Sequence, residues 1–264
     1  MKKILALLLL LCLPITAVAG RGCELRAPEP REIETALSLG IRVQEALEAS
    51  GARVALVARV GQDLSRYGLV HTHAAFAWRD HPKGRWMVVH LLNDCGTDRS
   101  NLHDEGLGAF FMDIHRPEAQ IVVPSERVQA RLVQVLESDL AEMLHESRYN
   151  MVSFPFNPKY QNSNQWLLEV FAAANATDVA VTSRQQAVDW LKATGYRPTT
   201  IELGTLTRLG GRMFRANIAF DDHPFGRRMA GHIDTATVIS IVSFIRSRDE
   251  GARVISVTVP SAAQ

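Results

Sequence analysis

The sequence lacks the short motifs that identify the common enzyme classes. It contains no glycine-rich phosphate loop of the P-loop or dinucleotide-binding type, no HExxH zinc-peptidase motif and no CxxC pair. Nucleotide-dependent enzymes, zinc peptidases and dithiol redox proteins therefore gain no support from the sequence. We predict no cofactor.

The chain also lacks an excess of charge of either sign. It has 29 Lys and Arg against 28 Asp and Glu, which gives a formal charge of +1. Nucleic acids and anionic membranes attract proteins that carry blocks of basic residues. The overall charge therefore indicates neither kind of partner.

Long apolar runs are missing after the N-terminus, and the run at the N-terminus is short. The residues MKK precede the leucine-rich stretch ILALLLLLCLPITAVAG, which contains the small-x-small sequence Ala17-Val18-Ala19. A basic start, a short apolar core and small residues at its end are typical of a cleaved secretory signal. We expect residues 1–19 to be removed, leaving a periplasmic or secreted protein with no membrane span.

Cysteine is scarce, with three residues in the chain. Cys12 lies in the predicted signal, so Cys23 and Cys95 are the thiols expected in a compartment that favours disulfides. A Cys23–Cys95 disulfide and two separate thiols both stay open, because the sequence does not give the distance between their Cα atoms.

About 245 residues remain after the predicted signal, and no linker rich in Gly, Ser or Pro interrupts them after residue 31. A chain of this length forms one large domain or two small ones, and the missing linker favours one. We predict a single domain over residues 20–264. The sequence does not predict its oligomeric state.

Helical and strand patterns alternate irregularly, which is typical of an α+β protein. Helices are predicted where apolar residues recur every three or four positions, and strands where β-branched and aromatic residues form short runs. The predicted helices are 31–51, 125–144, 163–174, 183–195 and 235–248, and the predicted strands are 53–61, 69–80, 84–94, 119–124, 199–204, 212–222 and 253–259. We therefore expect a central antiparallel sheet flanked by helices.

Three histidines, His71, His73 and His90, fall in neighbouring predicted strands. Residues two apart in a strand share a face, and the next strand can bring a third ring beside them. One hypothesis is a three-histidine metal site with an open coordination position. The other hypothesis uses His73 and His90 in acid–base chemistry.

The stretch YQNSNQW, residues 160–166, places Ser163 where a predicted helix begins. A nucleophile in this position lies at the positive end of the helix dipole, while a histidine on a nearby strand accepts its proton and a further polar group orients that histidine. Ser163, His73 and His90 form such a set. Alternatively, Ser163 and its neighbours Asn162 and Asn164 only cap the helix.

A conventional order, with the histidine after the helix, is also open. His223 follows a predicted strand in NIAFDDHPFGR, residues 217–227, which repeats the pattern around His81 in AFAWRDHPKGR, residues 75–85. Both segments contain Pro and Gly in a turn-forming arrangement. The two copies are either a duplicated histidine site or two similar turns at strand ends.

Four motifs taken together, GQDLS, THAAFAWRD, VVHLLND and YQNSNQWLLEV, resemble circularly permuted members of the papain-like NlpC/P60 superfamily, in which the histidine strand precedes the nucleophile helix. Most of the chain from residue 23 to 259 also resembles a family of secreted bacterial proteins of unknown function. The superfamily resemblance implies a papain-like core at about 53–174 and an extension over 175–264.

The resemblance to the papain-like superfamily also implies roles for the site residues. His73 would be the base, His90 its orienting partner and Ser163 the nucleophile of a hydrolase or acyltransferase acting on amide or ester bonds. Peptidoglycan peptides or lipid-linked molecules would be its substrates. The usual nucleophile of the superfamily is cysteine, however, and a hydroxyl needs more help from a base than a thiol does. The alternative is an inactive relative that binds an envelope ligand or a protein partner.

Overall fold

The computed structural model describes residues 27–259, apart from the side chain of Phe214. The predicted signal and Cys23 lie outside this range, so the Cys23–Cys95 disulfide stays a prediction. The first helix, α1, spans Pro30–Ser50 and ends at Gly51, whose φ is 72°. Glycine adopts this left-handed conformation without a steric penalty, which explains why the helix stops there.

Eight strands and eight further helices follow α1 in the described part of the chain. The strands are β1 Val54–Val60, β2 His73–His81, β3 Gly84–Asn93, β4 Ser100–Gly106, β5 Arg116–Val123, β6 Thr199–Glu202, β7 His232–Thr235 and β8 Arg253–Thr258. The helices are α2 Leu107–Phe110, α3 Glu126–Glu137, α4 Leu140–Met143, α5 Ser163–Asn175, α6 Arg184–Ala193, α7 Thr205–Phe214, α8 Phe225–Met229 and α9 Val238–Arg248. A 3₁₀ turn covers Ser65–Tyr67.

Six strands form one sheet in the order β4-β3-β2-β1-β5-β8, and all neighbours are antiparallel. The strands β1 to β4 form a meander, which is the usual result of short connections between consecutive strands. The strands β6 and β7 form a separate two-stranded sheet. The predicted α+β class, with an antiparallel sheet flanked by helices, is confirmed.

Helices cover both faces of the large sheet. On one face, apolar residues of α1 and α2 pack against alternate residues of the strands, including Val57, Ala75 and Val88. On the other face, α3, α5, α6 and α9 pack against the intervening residues, including Phe76. Every residue of β1 is buried for this reason, whereas a sheet with one wet face would alternate.

The helix α5 supplies the centre of the second core. Trp166, Leu167, Val170 and Phe171 are fully buried, as the sequence pattern predicts. The ring of Trp166 packs edge-to-face on Phe76 of β2, with centroids 5.9 Å apart. This packing fixes the position of α5 on the sheet.

Two of the predicted elements need correction, and one strand of the large sheet was not predicted. The predicted strand at 212–222 does not form, because its first residues end α7 and the rest is turn whose backbone bonds to Asn150 and Met151. The predicted helix at 125–144 is interrupted at Ser138, whose backbone is extended. The unpredicted strand is β4, an edge strand with the polar sequence SNLHDEG, whose strand partner within residues 27–259 is β3.

Within residues 27–259, no helix combines the length and the apolar character needed to cross a bilayer.

Candidate functional site

The two site histidines predicted in neighbouring strands lie next to each other in the structure. His73 Nε2 at the start of β2 lies 2.9 Å from His90 Nδ1 near the end of β3. On the far side of the second ring, Glu105 Oε1 of β4 lies 3.1 Å from His90 Nε2. The three side chains therefore form a line across three adjacent strands, running from a carboxylate through two imidazoles.

The chemistry of this line fixes its protons. A carboxylate only accepts hydrogen bonds, so the His90 proton belongs on Nε2, facing Glu105. His90 Nδ1 is then an acceptor, and the proton of His73 belongs on Nε2. The remaining ring nitrogen, His73 Nδ1, carries an available lone pair. The line thus prepares His73 Nδ1 to act as a base.

The pKa values of the three groups agree with this proton arrangement. Burial is the main cause that lowers the pKa of His73 well below its usual value, and the nearby Arg59 and His90 lower it further. Burial also lowers the pKa of His90, while Glu105 opposes that shift. Burial raises the pKa of Glu105, but the hydrogen bond from His90 and the charges of His90, Arg59 and His103 together outweigh the burial and lower the pKa overall. At neutral pH both rings are uncharged and the carboxylate is ionised.

Phe110 of α2 supports both histidine rings. Its ring centroid lies 5.8 Å from that of His73 and 5.5 Å from that of His90. The guanidinium of Arg59 lies 4.8 Å above the same ring and donates to the Phe110 carbonyl oxygen. The histidine pair therefore lies against the face of the sheet that α1 and α2 cover.

Ser163 is the first residue of α5, as predicted, and it is 7% exposed. The cap is the preceding residue, because Asn162 Oδ1 accepts from the backbone N–H of Gln165 at 2.8 Å. The Ser163 hydroxyl forms a hydrogen bond with the phenol of Tyr149. Burial raises the pKa of Tyr149, and this hydrogen bond opposes part of that rise. Ser163 is thus free of the capping role that the sequence left open.

Asn164 joins the start of α5 to the histidine strand. Its Oδ1 accepts from the backbone N–H of Ala74 at 3.0 Å, and its Nδ2 donates to the Thr72 carbonyl at 3.2 Å. Pairing between β2 and β3 begins only at Phe76 and Val89. The Asn164 side chain therefore takes the place of a strand partner at the open end of β2.

The first turns of α5 are also held by a buried ion pair. Arg184 Nε and Nη2 lie 2.8 and 2.9 Å from the two carboxylate oxygens of Glu169, a residue that is fully buried. Gln161 and Gln165 donate to the same carboxylate. Because each oxygen has partners, this arrangement fixes α5 against α6.

The structure therefore brings His73 and His90 together, but it does not bring Ser163 to them. No hydrogen bond joins Ser163 to a histidine within residues 27–259. The helix start and the histidine pair reach the end of β2 from opposite sides of the sheet, since Ala74 faces α5 and its neighbour His73 faces Phe110. The closest link between them is the bond from Ala74 to Asn164.

The other histidine hypotheses do not have the predicted geometry. His71 Nε2 lies 3.6 Å from Glu118 and does not join His73 and His90, so the three-histidine metal site does not assemble. Among the described residues, no group of three or more His, Cys, Asp or Glu is placed to hold a metal ion. His223 is buried with both ring nitrogens occupied, by Asp222 at 2.9 Å and by the Asp234 carbonyl at 3.1 Å. Its contacts are those of a structural residue.

The α+β fold, the histidine pair and the capped helix start define a protein with a candidate acid–base site at the edge of an antiparallel sheet. The chain belongs to a bacterial family described as "Uncharacterized protein conserved in bacteria (DUF2145)", whose model matches residues 46–245. No curated protein and no solved structure matches it. The matched range contains every residue of the candidate site.

Proposed function

We propose that this protein is a cell-envelope hydrolase or acyltransferase that uses Ser163 as nucleophile and His73 as base. The observation that carries the proposal is the line from Glu105 through His90 to His73, which favours the tautomer of His73 with Nδ1 unprotonated. The fully buried His90 ring is costly unless its two nitrogens have partners, and the half-buried His73 and Glu105 lie next to them.

The order of the site along the chain also supports a permuted papain-like arrangement. The histidine strand precedes the helix that begins at Ser163, and the Asn164 bond holds that helix at the histidine strand. In such a site the nucleophile lies at a helix N-terminus, the base on a strand and an orienting group on the next strand. His73 and His90 have the strand positions that this arrangement needs.

The proposed reaction transfers an acyl group in two steps. In the first step, Ser163 Oγ forms a bond to the substrate carbonyl carbon while its proton passes to His73 Nδ1. The bond to the leaving amine or alcohol breaks, and the leaving group takes the proton from His73. Water or an acceptor alcohol then repeats the sequence in reverse. Glu105 would stabilise the transient His73 imidazolium through His90.

This reaction requires two changes: the Ser163 hydroxyl exchanges its contact with Tyr149 for one with His73, and the start of β2 turns so that the His73 ring comes to the α5 side of the sheet. Catalytic hydrogen bonds are often long or absent without substrate and form in the substrate complex. The Tyr149 contact is also the observation that favours the second candidate function, a relative that binds an envelope ligand or a protein partner without chemistry. Replacing the hydroxyl by a thiol distinguishes the two.

The experiment measures the thiol pKa of Ser163→Cys from the pH dependence of alkylation, with the parent protein as background. Thr205→Cys is a matched control, because Thr205 is also the first residue of a helix. We expect the thiol pKa to fall below about 7 in Ser163→Cys, against a reference near 8.5, and to rise again when His73→Gln is added. An equal pKa at both positions, unchanged by His73→Gln, would leave only the binding function.

A serine-directed fluorophosphonate probe tests the natural nucleophile. Labelling of the parent protein that disappears in Ser163→Ala and in His73→Gln supports the proposed reaction. Labelling that persists in Ser163→Ala contradicts it.

We also propose a periplasmic location with a Cys23–Cys95 disulfide, both on the basis of the N-terminal sequence and the cysteine positions. Peptidoglycan peptides and lipid-linked esters or amides are the substrates that such a location would provide. Mass analysis of the protein recovered from the periplasm tests the cleavage after Ala19, and thiol counting before and after reduction tests the disulfide.

A further inference from the structure

We infer that α7 binds the surface of an anionic lipid bilayer. Three of its apolar side chains point into solvent, with Leu206 85%, Leu209 54% and Met213 65% exposed. They are three and four residues apart, so they lie along one side of the helix. Of the α7 residues whose side chains are described, none is buried, whereas the other helices of ten or more residues each bury several.

The attachment of α7 to the rest of the protein leaves this apolar side uncovered. Arg208 Nη1 donates to the Leu203 carbonyl at 2.7 Å, and Gly211 packs against Ile218. Gly210 has no neighbour in contact with the position where a side chain would begin. Adjacent glycines weaken an exposed helix by about 1 kcal/mol each relative to alanine. The stability of α7 as a helix therefore depends on contacts with another part of the protein or with a partner.

The charged residues in and next to α7 favour an anionic surface as the partner of its exposed apolar side. From residue 202 to 222 the chain has three arginines and three acidic residues, but Asp221 is paired with Lys159 and Asp222 is buried. Glu202 is therefore the acidic side chain left to offset the three arginines. Arg212 is exposed, and Arg208 and Arg215 are partly exposed. The nearly neutral total charge of the chain conceals this local excess of positive charge. A short amphipathic helix with arginine beside leucine and methionine fits the headgroup region of an anionic bilayer.

The neighbouring helix α8 also exposes apolar side chains on one side. Phe225 and Met229, one turn apart, are 69% and 60% exposed. The helix ends near the start of α7, where the Gly231 carbonyl accepts from the Leu203 N–H at 2.9 Å. The two helices thus place exposed apolar side chains on the same small sheet-and-helix unit. A neutral protein partner would not need the arginines, so the lipid surface is the better match.

The test is co-sedimentation with lipid vesicles, using the protein in the form that cells accumulate. Vesicles of phosphatidylglycerol mixed with phosphatidylcholine are compared with vesicles of pure phosphatidylcholine. We expect partitioning to the anionic vesicles to be at least about tenfold stronger and to weaken with salt. Met213→Glu and Arg212→Glu should each reduce it several-fold. Met143→Glu and Arg127→Glu are the matched controls, because Met143 is 61% exposed on α4 and Arg127 is exposed on α3.

Equal binding to both kinds of vesicle, or equal loss in the test and control variants, would overturn the inference. Self-association that Met213→Glu abolishes, in the absence of vesicle binding, would also overturn it and identify a second copy of the chain as the occupant. The readout is independent of the proposed chemistry, since none of the variants touches Ser163, His73 or His90.

Discussion

His73 and His90 face each other across β2 and β3 with Nε2 and Nδ1 2.9 Å apart, and protonation of both rings at Nε2 lets His90 accept from His73 and point its proton at Glu105. We predict that nitrogen-15 NMR at neutral pH will show both rings neutral and protonated at Nε2. In Glu105→Gln, the amide can donate as well as accept, so the order is no longer fixed. A second tautomer should then appear. Two Nδ1-protonated rings in the parent protein would contradict this assignment.

The buried histidines predict a loss of stability in acid. The pKa values of His73 and His90 are lowered, mainly by burial, whereas unfolded histidines titrate near 6.5. Below that pH the unfolded state binds more protons, so the free energy of unfolding falls as pH falls. The expected slope is up to about 1.4 kcal/mol per pH unit for each such histidine, until the folded pKa is reached.

Urea unfolding at pH 8.0, 6.5 and 5.5 measures this effect. His90→Gln should reduce the slope between pH 6.5 and 5.5 and leave the pH dependence near pH 8 unchanged. Burial also lowers the pKa of His71, His81 and His145, so part of the slope should persist in the variant. A slope equal to that of the parent protein would show that His90 titrates normally.

Asn164→Ala should destabilise the protein by about 1–3 kcal/mol. The change leaves the buried N–H of Ala74 without its acceptor, and an unpaired buried donor costs that amount. Asn101→Ala is the control, because the Asn101 amide donates to the Asp94 carboxylate at the surface. Equal losses in the two variants, measured by urea unfolding, would show that the Ala74 bond is unimportant.

Arg184→Met should cost about 3–5 kcal/mol of stability, since it leaves the buried Glu169 carboxylate without its cation. Adding Glu169→Gln should recover part of the loss, because the amide carries no charge. Arg148→Met is a control on a half-exposed pair with Glu146, where we expect less than about 1 kcal/mol. Equal effects at the two arginines would mean that burial of Glu169 does not matter.

Local sequence patterns predict those parts of the fold that are apolar and regular. The apolar periodicity of α1 and its terminal Gly51 give that helix almost to the residue, and the β-branched runs give β1 to β3. The edge strand β4 was not predicted, because its largely polar sequence lacks the apolar run that marks a strand. Its residue Glu105 therefore lay between the predicted strands 84–94 and 119–124, and the sequence did not predict its contact with His90.

The candidate site shows the same limit. Strand alternation predicts that His73 and His90 come from neighbouring strands, but not which ring nitrogens meet. The sequence left open whether Ser163 caps α5, and only the side-chain geometry assigns that role to Asn162. The exposed apolar side of α7 was missed because residues 212–214 fit a strand pattern equally well, and only tertiary context decides such short segments.

The side-chain acceptor of the Ala74 amide has a consequence for the motions of the site. Amides within the strand ladder exchange with solvent only when strands separate, whereas the Ala74 amide is protected by Asn164 on a different element. Hydrogen exchange at this one amide therefore measures how often the start of α5 leaves the histidine strand. A ligand that holds the start of α5 against β2 would slow that exchange before any change in global stability is measured.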